Sequence, residues 1–195
     1  MSSNVPVAFH PDRVAYYEAA GWRAYYDHRW LRAFWLMVRL NREEFRMPPP
    51  SALAATVDIV RASIAFAPVD NDVPEAARFV RRYYERARRS ARFQAEAQAV
   101  AGLEMKYWVV HRELAVQRKK QPELDNTGPM VEALADLHAA LFDISPQAAR
   151  PSAELRALAA KTVDRITGRY STDVAGDWRQ VESYLQQAYR AVVGG

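Results

Sequence analysis

Proline and glycine gather at a few places in this chain and leave long stretches free of both. The breaks fall at Pro6/Pro11, Pro48-Pro49-Pro50, Pro68 to Pro74, Pro122 to Pro129, Pro146/Pro151 and Gly168. Between them lie most of the 34 alanines of the 195-residue chain. Alanine is the best helix former and Gly and Pro are the worst, so this punctuation reads as helix after helix. No Asn-Gly or Asp-Gly pair and no sustained alternation of apolar and polar residues suggests a sheet. The expected fold is all-α: one domain, residues 1–195, a mostly antiparallel bundle of six or seven helices behind an extended N-terminal segment, residues 1–11.

The predicted helices run over Asp12–Phe45, Ser51–Ala67, Pro74–Arg92, Gln94–Lys120, Pro129–Asp143, Ser152–Gly168 and Asp173–Val193, the fourth as a bent continuation of the third in the six-helix version. In the first, Ala15, Ala19, Trp22, Tyr26, Trp30, Ala33, Met37 and Leu40 follow helical spacing, and Gly21 suits a close crossing by another helix. Ser51 is expected to cap the second helix and Gly168 to end the sixth in the left-handed conformation. Gly194-Gly195 ends the seventh.

Several functions lack support. The chain has no cysteine, which removes disulfide frameworks, thiolate nucleophiles and Cys-based metal centres. It has no G-x-G-x-x-G, G-x-x-x-x-G-K, G-x-S-x-G or H-E-x-x-H. No histidine has an acid three residues before it, so the paired Glu-x-x-His of di-iron bundles is missing. Asp70-Asn71-Asp72 begins like a calcium loop, but Pro74 follows where a ligand should be, so a turn or cap is expected. The N-terminus has no basic start followed by an apolar run, and the longest apolar stretch, Ala33 to Val38, is far short of a membrane span. The expected location is the cytoplasm, with no membrane contact.

Charge is uneven. Net charge is −1 over residues 1–77, +8 over 78–120 and −3 over 121–195, giving +4 for the chain. The basic block is densest at Arg78, Arg81, Arg82, Arg86, Arg88, Arg89 and Arg92, opposed there only by Glu85. Guanidinium groups match phosphate geometry, so Arg78, Arg81, Arg82, Arg88, Arg89 and Arg92 are the candidate anion-binding residues. The partner would be a polyanion or an acidic protein. The ordinary alternative is a solvated helix face paired with nearby acids.

A second constellation lies on apolar faces. Glu18 shares a stripe with Trp22, Tyr25 and Arg29, Glu104 with Trp108, His111 and Arg118, and His138 interrupts the core face of the fifth helix. Asp58 and Arg61 are spaced to pair with each other. If these faces converge, Glu18, Glu104, His111 and His138 would hold a metal or polarise a small ligand. The 22 aromatic side chains offer walls for an aromatic one. The competing expectation is a buried ion-pair network compensated by arginines, with no cofactor. Three function classes follow: an interaction protein using its Arg-rich helix, an enzyme or sensor with a ligand inside the bundle, and a subunit of a larger assembly, including a homo-oligomer.

Overall fold

Eight helices, not six or seven, make up the described chain, without strands. They are α1 (Pro11–Tyr26), α2 (Trp30–Glu44), α3 (Pro49–Phe66), α4 (Val73–Ala91), α5 (Ala97–Lys120), α6 (Gly128–Phe142), α7 (Pro146–Thr167) and α8 (Val174–Val193). The computed structural model describes residues 9–121, 124 and 126–193. Most of the expected extended segment and Gly194-Gly195 lie outside the described residues, and Pro11 already belongs to α1.

The extra helix comes from the first predicted one. A straight helix over Asp12–Phe45 would be about 50 Å long, more than a domain of this size can cover. It folds back at Asp27-His28-Arg29 instead, with His28 at φ 58° and the Arg29 N–H bonded to the Ala24 carbonyl. No proline or glycine marks this turn. The hairpin lets Leu36 of α2 approach Gly21, where an added Cβ would sit 3.9 Å from the Leu36 Cβ.

Other ends also differ. The sixth predicted helix starts six residues early as α7, capped by the Ser145 Oγ, which accepts from the Ala148 N–H. Pro151 is tolerated inside α7 because Gln147, whose carbonyl loses its helical donor, is exposed to water. Gly168 has an ordinary φ of −73°, and Arg169 takes the left-handed position. Ser51 lies within the first turn of α3, whose cap is Pro48. Arg92 at φ 59° separates α4 from α5, so the two are not one bent helix.

Each helix packs against the next, and α8 packs back against α1, so the chain closes into a ring. Asp12 pairs with Arg190 across α1 and α8, and Arg13 with Glu43 across α1 and α2; both pairs join opposite helix ends. Antiparallel closure of an up-and-down ring needs an even number of helices, which eight satisfies and seven would not. The ring holds two apolar clusters, one over α2–α7 and one centred on α1 and α8. No helix is long and apolar enough to cross a membrane among the described residues.

Candidate functional site

The ring turns its charged stripes inward. On α5 the inner face reads Ala97, Val100, Glu104, Tyr107, His111, Leu114 and Arg118, alternating steps of three and four. On α7 it reads Ser152, Arg156, Ala159 and Val163, where alanines leave room for a long side chain. Glu18 comes from α1 and Tyr189 from α8.

Arg156 is the centre. Its two terminal nitrogens hold both oxygens of Glu18, Nη1 at 2.9 Å, and the Tyr189 hydroxyl donates to Glu18 Oε2 at 2.6 Å. Trp22 and Tyr189 lie against the guanidinium. Burial works against the charge of Arg156, but Glu18 and Tyr189 outweigh it and raise its affinity for the proton. Burial pushes the Tyr189 hydroxyl up in turn. Removing either member of such a pair costs roughly 3–5 kcal/mol, because the other stays behind uncompensated.

Glu104 has a different shell. It accepts from the Tyr84 hydroxyl at 2.9 Å and from Trp108 Nε1 at 2.6 Å, both neutral. Burial raises its pKa, against the pull of Arg156 and these two donors. Glu44, at the end of α2, lies one turn beyond the buried Asn41, whose amide joins Thr56 of α3 and Tyr83 of α4. Its carboxyl is pushed up to about 8 by burial and by the charge of Glu18, with Arg156 opposing and Glu104 adding. Desolvation governs Glu44 and Glu104, whereas Arg156 is governed by Glu18 and Tyr189, and all three are only partly buried.

The histidines stand apart from these acids. His111 Nε2 lies 3.0 Å from Asp164, which also accepts from Arg118 at 2.7 Å, and its ring stacks on Tyr107. His138 Nδ1 lies 2.9 Å from the Ser152 hydroxyl, and burial with the nearby Arg156 lowers its pKa to about 3. So Glu18, Glu104, His111 and His138 all face the ring interior but each has its own partner. Among the described residues no three His, Cys, Asp or Glu side chains are grouped as a metal site would need. Arg156, Glu44 and Asp164 were missed by sequence reasoning. Arg156 had a signal, a lone arginine in a stripe of small residues; Glu44, beside Glu43, had none.

The arginines of α4 are mostly engaged. Arg78 pairs with Glu75, Arg81 with Glu85, and Arg88 with Glu96. Arg82 and Arg86 both reach Asp58, 3.3 and 2.8 Å away, so Asp58 pairs with α4 and not with Arg61. Arg61 leans instead toward the Phe79 ring. Arg89 and Arg92 are exposed and have no acid partner among the described residues. No protein family, curated protein or solved structure matches this chain.

Proposed function

We propose that the protein binds a small organic cation inside its helix ring. The observation that supports this is a pair of carboxyls without a cation in contact among the described residues: Glu104 is held by neutral donors, and Glu44 has no hydrogen-bond donor there. Tyr83, Tyr84, Tyr107 and Trp108 flank them, and aromatic faces attract a desolvated ammonium. Arg156 does not compete for an anion, since Glu18 occupies its two terminal nitrogens. A bound cation would draw the proton off Glu44, so binding near neutral pH releases protons.

Thermal shift and calorimetry with benzylamine against benzyl alcohol test this. Benzylamine is expected to raise the melting temperature saturably and release protons, as a ligand of the folded state must. Glu44→Gln and Glu104→Gln are each expected to weaken it at least tenfold. Equal effects of amine and alcohol would end the cation reading.

A second reading, a dimer, is favoured by the outer face of α3. Leu53, Val57, Val60 and Ile64 are exposed there at steps of four, three and four, and Leu31 and Trp35 stand at the same level of the α2–α3 hairpin. An outer helix that is apolar on nearly all sides is one that another surface covers. At about 200 Å² per large side chain, these six leave roughly 600–700 Å² open, near the ~800 Å² that each side of a standard interface buries. The occupant we infer is a second copy, because an apolar ridge of this spacing, with the exposed Arg61 at its side, meets its own two-fold image ridge to ridge. Sedimentation should show a dimer that Val57→Glu and Ile64→Glu convert to monomer; a monomeric parent protein at tens of micromolar would dismiss this reading.

A further inference from the structure

We propose that the end of the ring at the α1–α2 turn docks onto an anionic lipid surface, with Tyr25, Trp30 and Leu31 entering the interface and the arginines beside them meeting lipid phosphates. Because no helix among the described residues can cross a membrane, the contact is one made by a turn resting on the surface.

The turn stands outside the core. All eight residues from Tyr25 to Arg32 are exposed, Trp30 at 55% and Leu31 at 80%. The Tyr25 and His28 rings each lie 5.3 Å from the Trp30 ring, so these aromatics pack on one another at the outside. Single exposed apolar residues are ordinary. Here they are sorted by end. Successive helices run antiparallel, so the α1–α2, α3–α4 and α7–α8 connections share one end of the ring, and the α2–α3, α4–α5 and α6–α7 connections share the other. Val69 in the α3–α4 connection and Val174 at the start of α8 add exposed apolar side chains to the first end. Among the described residues, no large apolar side chain is exposed in the three connections of the second end.

Charge complements this polarity. A cleft of about 400 Å³ opens beside the turn, between α1, α2 and the start of α8, lined by Arg23, Arg29, Arg32 and Arg179 with Asp27 and Glu182. Arg29 and Arg32 have no acid partner among the described residues. Arg23 is 3.9 Å from Asp27 and Arg179 is 4.0 Å from Asp173, the outer limit of an ion pair, and all four arginines are exposed. Guanidinium forks match phosphate oxygens. A lipid headgroup layer takes both features at once: Trp and Tyr rings settle at headgroup level, Leu reaches the acyl boundary, and neighbouring basic side chains are drawn to anionic lipid. A nucleic-acid strand would use the rings and the arginines but leave Leu31 in water.

This surface shares no residue with the interior carboxyls, so it stands or falls separately from the cation reading. The test is flotation of the full chain with phosphatidylcholine vesicles, with and without phosphatidylserine, repeated with brominated acyl chains. Binding is expected on the phosphatidylserine vesicles, to be about tenfold weaker on phosphatidylcholine alone, and to fall with added salt. Brominated chains should quench part of the tryptophan fluorescence. Trp30→Phe should remove that part and keep the binding, since phenylalanine still inserts. Trp30→Ser with Leu31→Ser should weaken binding about tenfold or more, and Arg29→Gln with Arg32→Gln should erase the preference for phosphatidylserine. These side chains are exposed, so the fold survives. Leu31 also borders the α3 ridge of the dimer reading, and Val57→Glu separates the two: it should leave vesicle binding unchanged. The proposal is overturned by absent binding to phosphatidylserine vesicles, by equal binding to both kinds, by full binding in the Trp30/Leu31 variant, by a lipid preference that survives in the Arg29/Arg32 variant, by quenching that Trp30→Phe leaves intact, or by an equal loss in Val57→Glu. Oligothymidylate that binds as tightly as the vesicles and competes with them would overturn it in favour of nucleic acid.

Discussion

Two arginine-rich stretches behave in opposite ways. Helix α4 carries the densest run of positive charge in the chain, yet Glu75, Glu85, Glu96 and the buried Asp58 answer most of it. The end of α2 carries fewer arginines, and of its two acids Glu43 reaches Arg13 while Glu44 pairs with no arginine among the described residues. Charge counted along a sequence thus overstates what α4 offers and understates what α2 offers. What decides is which acids the fold brings across, and Asp58 arrives on α4 from a different helix, 28 residues away from Arg86.

The largest expected effect breaks the α4 side of this contrast. Asp58→Asn should lower stability by about 2–3 kcal/mol, the range for hydrogen bonds to charged groups, since Arg82 and Arg86 are partly exposed and water recovers some of the loss. Urea unfolding should show a lower midpoint at unchanged slope. The same variant should turn α4 into a better anion surface, with retention on a heparin-like polymer that falls steeply with salt. A loss under about 0.5 kcal/mol would mean that the Asp58 pairs are worth no more than loose surface contacts.

Much of the fold was legible because helix punctuation is local. Alanine-rich segments and proline clusters placed most helix ends to within a few residues. The α1–α2 turn was not legible: Asp27-His28-Arg29 has no breaker, and the fold-back is imposed by packing the two halves against each other. The interior polar cluster was half legible. Glu18, Glu104, His111 and His138 stood out as polar residues on apolar stripes, and all four face the ring. Their partners did not stand out, because Glu18 with Arg156 and His111 with Asp164 join residues 138 and 53 positions apart. Nothing in a single chain's spacing encodes such a meeting.

The smaller expected effect carries the contrast into the interior, where an unanswered charge has a different fate. Arg39 and Arg42 have no acid partner among the described residues, and water solvates their exposed guanidinium groups. His138 also lacks an acid, has Arg156 nearby, and has no water to turn to, so it gives up its proton and bonds Ser152 as a neutral ring. Its pKa is about 3 in the fold against an ordinary value near 6.5. Between these values the unfolded chain binds a proton that the folded chain refuses, so stability falls as pH drops through this window. The loss grows by about 1.4 kcal/mol per pH unit and reaches roughly 2 kcal/mol at pH 5 relative to neutral pH. Glu44 acts with the opposite sign: its carboxyl keeps a proton up to about pH 8, so its contribution is full below its ordinary pKa and is lost as pH rises through 8. The two overlap between about pH 4.5 and 6.5, and the parent protein alone would show only their sum. His138→Asn, which keeps a hydrogen-bonding group near Ser152 but does not titrate, isolates the histidine. The difference in stability between parent and variant should shift by about 2 kcal/mol between pH 7 and pH 5, in the direction that favours the variant in acid. A difference that stays flat over that range would mean His138 takes up a proton inside the fold, and that even a buried, unanswered site beside Arg156 can hold charge.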